Sequence, residues 1–272
     1  RTEAIVQCVM DALMKGGIPF HMKDAIPNLF AHWISLDIIA YLRLVSGTGN
    51  TRANWLRIMN RPNRYIKREA LAPFTSDISV AQLKAYYQDK DWMLERLDRL
   101  EYDLSIMKRM SPYAAIHYLS NAMKYQDYLK DYAKEHHINE QELLDVLNAV
   151  HESSQSCRTF AEWFTYIDTY TEELQKQAKS PASKDANNES GVCLCTLHCA
   201  KGLEYPIVFI PDINEDNIPH ARAAVDADLE EERRLFYVGI TRAKEHLHLY
   251  CVGEASGKEK FPSRFLEELN EM

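Results

Sequence analysis

GVCLCTLHCAKGLEYPIVFI, residues 191 to 210, opens on an apolar strand, passes through a polar turn with a short helix over AKGLE, and returns to an apolar strand at IVFI. Both strands are continuously apolar rather than alternating, which suits a parallel sheet covered on both faces. Downstream the rhythm repeats. A helical LEEERRLFYVGI (229–240) leads into a strand EHLHLYCV (245–252), and a last helix begins near Ser263. Strands alternating with helices predict an α/β fold with a parallel sheet wrapped by helices.

Upstream of this block lies a different composition. The chain opens with an apolar-spaced run to Leu13, a Gly16-Gly17 stop and an extended IPFHMK. A helix follows from Phe30 to Val45, with Phe30, Ile34, Ile38, Tyr41, Leu42 and Val45 on one face, and Gly47 and Gly49 end it. From about Ala53 to Ala178 strand-like alternation disappears and amphipathic helices succeed one another. Ser111-Pro112 reads as an N-cap with a first-turn proline, and Asn139 with Glu142 and Thr159 with Glu162 read as capping boxes. KSPASKDANNES, residues 179 to 190, is polar and turn-rich, so a boundary is expected there. The expected organisation is an α/β domain in two pieces, residues 1–52 and 191–272, interrupted by an all-α insertion at 53–190.

Composition narrows the function. The 272 residues carry a formal charge of −8, with 46% hydrophobic and 26% charged residues. A chain of this charge does not coat nucleic acid through bulk electrostatics, so any such contact must be local. No apolar run approaches the roughly 20 residues needed to cross a bilayer, and no membrane partner is expected. The start on Arg1 is read as that of an excised fragment, and the six scattered cysteines as reduced cytosolic thiols.

Chemistry concentrates in two blocks. TLHCAKGLEYPIVFI (196–210) places hydroxyl, imidazole, ammonium and carboxylate groups after a strand, where open parallel sheets bind ligands. In EEERRLFYVGITRAKEHLHL (230–249), Glu230 and Arg234 are spaced to pair on an exposed helix face, and Leu235, Val238 and Tyr237 to face the sheet. Gly239 and Thr241 are expected to loosen the helix before Arg242, whose planar guanidinium suits a phosphate; a surface salt bridge is its bland alternative.

These two blocks resemble motifs V and VI of the UvrD/PcrA family of superfamily 1 DNA helicases: TLHCAKGLEYP the first, EERRLFYVGITRA nearly the whole of the second. RTEA, AYLRLV, LRIMNRPNR and SPYAAIHYLSNAMKYQDYLKDYA are looser matches, so the resemblance touches most of the chain. It implies a second RecA-like motor domain of P-loop NTPase type with an inserted helical domain. It further implies ATP with Mg2+ held mainly by an N-terminal RecA-like domain outside this chain, single-stranded and duplex DNA as partners with 3′-5′ movement, and a bacterial cytoplasmic setting. Arg242 would be an arginine finger reaching the γ-phosphate, and Glu204 would contact the ribose side. Gly202, with Lys201, would shape the interdomain, ATP-binding face. Thr196 and His198 would hold the backbone of single-stranded DNA, and Arg233 and Arg234 would support the second block. A non-enzymatic helicase-like DNA-binding subunit or scaffold is the rival reading.

Glu3 and Ile5-Val6 replace polar residues expected after the opening Arg-Thr, His32-Trp33-Ile34 replaces a charged run, and Tyr65-Ile66-Lys67 stands where the family carries Gly-Ile-Gly, leaving duplex contact by that loop unsupported. Arg52, Arg57, Arg61, Arg64, Lys67 and Arg68, interleaved with Trp55 and Tyr65, form a run that fits either DNA binding, through Arg57, Arg61 and Arg64 above all, or a solvated helix face. Cys193, Cys195, His198 and Cys199 lack the CxxC spacing of a zinc site, so no metal is expected. GEASGKE (253–259) lacks the length and the final Ser/Thr of a phosphate loop.

Overall fold

The computed structural model describes residue 6 and residues 9–10, 12–14, 16–23, 28–49, 51–179, 191–220, 223, 226–255 and 258–270. Glu3, Ile5 and residues 180–190, on which expectations were placed, lie outside them. The chain divides into two compact units, one of Pro27–Gln175 and one of Arg1–Ile26 with Lys176–Met272.

The first unit is helical: α1 (Trp33–Ser46), α2 (Thr51–Ile58), α3 (Val80–Tyr86), α4 (Asp91–Met107), α5 (Pro112–Asn121), α6 (Tyr125–His136), α7 (Glu140–Ser153) and α8 (Phe160–Lys179). Helix α1 starts later than Phe30 because His32 is extended and caps it, its Nδ1 accepting from the Ile34 amide at 3.3 Å. Phe30 instead sits in a 3-10 turn (Leu29–Ala31) that Asn28 caps, its ring edge-on to Trp163, Tyr166 and Tyr170 of α8. Gly47, at φ 71°, closes α1 in the left-handed conformation that glycine adopts without Cβ strain.

Burial on α1 extends past one stripe: Ile34, Ile38, Tyr41, Leu42 and Val45 are joined by Ser35, Asp37, Ile39 and Ala40. A helix buried most of the way round belongs at the middle of its unit. Accordingly, α1 packs against α2, α4, α5 and α7. The two compact units divide between residues 26 and 27 and between 175 and 176. Of the expected caps, Ser111 Oγ accepts from Ala114 N, Asn139 Oδ1 from Gln141 N and Thr159 Oγ1 from Glu162 N. Glu162 in turn takes the Arg158 amide at 2.7 Å. Ser79 and Gln82 add a capping box at α3.

The second unit is mixed α/β with short parallel strands. β1 (Phe20–Met22) pairs with β2 (Val192–Leu194), His21 opposite Cys193, and β3 (Tyr205–Ile210) pairs with β4 (Ala243–Leu249), Phe209 opposite His248. Helices α9 (Asp226–Ile240) and α10 (Arg264–Asn270) bring Phe236 and Phe265 onto Ile210, Ile213 and Ile218, with Val208 and Leu249 at the margin. The expectation of strands covered on both faces is corrected at β3: among the described residues one face carries this core, while Phe209 on the other is 59% exposed and stacks on His248.

Candidate functional site

Residues 197–202 follow β2 as consecutive turns rather than the short helix expected over AKGLE. The turns are closed by backbone bonds from Ala200 to Thr196, Lys201 to His198 and Leu203 to Ala200. Gly202 stands at φ 82°, a conformation that a Cβ would strain, which stops helical continuation just before β3. Thr196 and His198 are exposed at the carboxyl end of β2, and Thr196 Oγ1 accepts from the Cys199 amide at 3.3 Å.

Gly239 does not loosen α9. It lies inside the helix, and a Cβ there would come within 2.6 Å of Leu197 Cδ2 and 3.1 Å of Ile210 Cδ1. Its missing side chain thus lets α9 seat directly on the turn after β2, bringing the two sequence blocks into contact. Tyr237 points outward at 63% exposure, not toward the sheet; Leu235 and Phe236 supply the buried face.

Arg242 ties the two blocks together. Its Nε donates to Val238 O at 2.8 Å, Nη1 to Leu203 O at 3.0 Å and Nη2 to Thr241 Oγ1 at 2.8 Å. Its own carbonyl accepts from Tyr205 N at 2.9 Å. Three donors are thus spent on neutral acceptors, and among the described residues no carboxylate forms an ion pair with the guanidinium. Glu204 stands beside it. That carboxylate pairs with Lys244 at 2.9 Å, and Lys244 first, Arg242 second, hold it below its ordinary pKa. Glu204 and Arg242 therefore share one surface, at the amino ends of β3 and β4.

The neighbouring arginines do other work. Arg233 bonds Glu230 and, at 2.9 Å, Glu268, and lies 5.2 Å above the Phe265 ring, fastening α9 to α10. Arg234 pairs loosely with Glu231 at 3.6 Å. Glu230 accordingly pairs three residues on rather than four, because Glu268 draws Arg233 to the same side.

Arg57, Arg61 and Arg64 bond within the helical unit while remaining partly exposed. Arg57 Nε lies 2.9 Å and Arg61 Nη1 2.8 Å from Asp37 Oδ1, and the Tyr125 hydroxyl donates to Asp37 Oδ2 at 2.9 Å. Burial nevertheless holds the Asp37 carboxyl above its ordinary pKa. Arg64 donates to the Ile58 and Pro62 carbonyls and lies over Tyr41. Trp55 is buried and donates to Ile78 O, so it offers no ring for stacking. Sequence reasoning missed Asp37, the hub of this cluster; an acid on an otherwise apolar helix face facing a basic run was the available signal.

The described cysteines, Cys157, Cys193, Cys195, Cys199 and Cys251, are free thiols. Cys193 Sγ lies 3.3 Å from Tyr205 Oη, and hydrogen bonding with Cys195 pulls its thiol down to about 6 against the opposing effect of burial. Among the described residues no three or more His, Cys, Asp or Glu side chains are arranged to hold a metal ion. No helix is long and apolar enough to cross a membrane, again among those residues.

The chain is 28% identical over 281 residues to the putative ATP-dependent DNA helicase YjcD of Bacillus subtilis, covering 99% of this chain and 35% of that protein. It is 30% identical over 268 residues to the ATP-dependent DNA helicase PcrA of B. subtilis, covering 92% of this chain and 35% of the relative. With PcrA of Staphylococcus epidermidis the identity is 27% over 296 residues, covering all of this chain and 39% of the relative. The chain thus spans little more than a third of the length of these relatives. A family model described as the UvrD-like helicase C-terminal domain matches residues 1–253, and the chain belongs to that family.

Proposed function

We propose that this chain is the second motor region of an ATP-dependent DNA helicase or translocase, a RecA-like parallel sheet interrupted by the helical unit. Its partners are DNA and an N-terminal RecA-like domain that holds ATP with Mg2+. The observation that carries the reading is Arg242: a partly exposed guanidinium with no carboxylate partner, fixed by two carbonyls from the two sequence blocks and standing beside Glu204.

The chemistry follows from that placement. A guanidinium held rigidly in advance stabilises charge on a transferring phosphoryl group without reorganising at the moment of transfer. Arg242 supplies that charge to a triphosphate on the facing domain, while Glu204 and Gly202 form the adjoining nucleotide-side surface. Thr196 and His198, exposed on the turn that seats against Gly239, hold the backbone of single-stranded DNA without reading bases. Because Leu203 O and Leu197 link that turn to Arg242 and α9, nucleotide state and strand grip have a short mechanical path between them. Movement 3′ to 5′ in the bacterial cytoplasm belongs to the same proposal.

The test uses the intact protein. Arg242→Ala is expected to lower kcat for DNA-stimulated ATP hydrolysis at least about a thousandfold, with nucleotide affinity changed far less. Unchanged turnover would overturn the assignment. The internal bonds of Arg242 favour one second reading, a helicase-like DNA-binding subunit without motor activity. On that reading the same variant lowers thermal stability, and the parent protein hydrolyses ATP no faster with DNA than without it.

A further inference from the structure

Tyr65, Arg96 and Trp92 form an exposed stack on the helical unit. The Arg96 guanidinium carbon lies 4.9 Å from the Tyr65 ring centroid and 5.1 Å from that of Trp92. Tyr65 is 59% and Trp92 50% exposed, and Arg96 is exposed with no carboxylate paired to it among the described residues. Two large rings gathered in solvent around one cation leave flat aromatic faces open to solvent.

The turn that presents Tyr65 is built to do so. Tyr65 is in the left-handed region at φ 58°, which an aromatic L-residue rarely adopts. Asn60 Oδ1 accepts from Arg64 N at 3.3 Å and Ile66 N at 2.9 Å, Asn60 Nδ2 donates to Ile66 O at 2.9 Å, and Asn63 Oδ1 accepts from Tyr65 N at 3.1 Å. Exposed cations adjoin the stack in sequence: Lys67 and Arg68 follow Tyr65, Lys90 precedes Trp92, and Lys67 N donates to Tyr87 Oη at 2.7 Å while Lys90 Nζ lies 5.9 Å from the centre of that same ring. Asp89, Asp91 and Glu95 are exposed nearby, so charge is balanced and ring stacking must set the affinity.

We propose that the Tyr65–Arg96–Trp92 stack is a contact for single-stranded DNA, with unpaired bases lying on the ring faces and Lys67, Arg68 and Lys90 meeting adjacent phosphates. The proposal rests on the DNA-binding reading of the chain. Paired bases inside a duplex keep their faces covered, whereas unpaired bases stack on aromatic rings with little regard to sequence.

The experiment measures binding of the intact protein to fluorescent oligothymidine and to an oligonucleotide of equal length carrying abasic sites. Trp92→Ala and Tyr65→Gly, the latter relieving the left-handed backbone, are each expected to weaken oligothymidine binding about tenfold. Both should lose the preference of the unaltered protein for thymidine over abasic DNA, and Trp92→Phe should restore most of it. Photocrosslinking to 5-iodouracil-substituted single strands is expected to label the peptides bearing Tyr65 or Trp92. Unchanged affinity in both variants, crosslinks that bypass these peptides, or a loss confined to duplex DNA would each overturn the proposal. Failure of the motor reading is separable: it appears as unaltered ATP turnover in Arg242→Ala, with the effects of Trp92 and Tyr65 intact.

Discussion

Asp37 has a side chain with no solvent exposure, yet two guanidinia and a buried tyrosine hydroxyl converge on it. Removing a carboxylate from such a cluster strands its partners, which is more damaging than never having had the cluster. Asp37→Ala is expected to destabilise the helical unit by about 3 kcal/mol, measured by urea denaturation. A loss below a few tenths of that would show that water replaces the carboxylate freely. Glu215 offers a pH-dependent counterpart in the other unit. It accepts from Arg264 N at 2.6 Å and Arg264 Nη2 at 2.7 Å, and these bonds hold its carboxyl below the ordinary 4.5. Since the folded pKa is depressed, the contribution is complete above the unfolded value and disappears as pH falls through the folded one. Glu215→Gln should therefore lower the melting temperature at pH 7, and the difference from the unaltered protein should shrink as pH falls through the folded pKa of Glu215.

Gly239 sets the geometry of α9 as an element. Placing any side chain there drives it into Leu197 and Ile210, the first on the turn that carries Thr196 and His198. Gly239→Ala would gain about 1 kcal/mol of helix propensity. Gly239→Val adds the bulk of overpacking, typically about 2 kcal/mol, and is expected to lower stability by roughly that amount. Its second effect is local: displacement of the Leu197 turn should weaken single-strand binding while leaving the α9 to α10 contact through Arg233 intact. Undiminished stability and DNA affinity in this variant would refute the close seating of α9.

At the level of the whole chain, the helical unit is one continuous segment with its own core around α1, whereas the α/β unit is assembled from two separated segments. A fragment of residues 27–175 is therefore expected to fold alone, with a cooperative thermal transition and the helical circular dichroism of α1 to α8. A non-cooperative melt would show that the core around Ile38 and Tyr41 needs the remainder of the chain.

Sequence alone determined the alternation of strand and helix after residue 190, the succession of helices before it, the capping sites at Ser111, Asn139 and Thr159, and the two blocks that carry the family resemblance. Each depends on neighbours within a few positions, where backbone preference and side-chain periodicity act directly. Tertiary structure decided what periodicity could not: that α1 belongs with the helices, because its burial continues past one stripe; that the arginines at 57 and 61 converge on Asp37 of a neighbouring helix while Arg64 bonds carbonyls and lies over Tyr41; and that Gly239 is a packing contact rather than a break. It also decided that Arg242 bridges the two blocks. Partners 24 or 39 residues away along the chain leave no periodic trace, and only the folded packing reveals which group meets which.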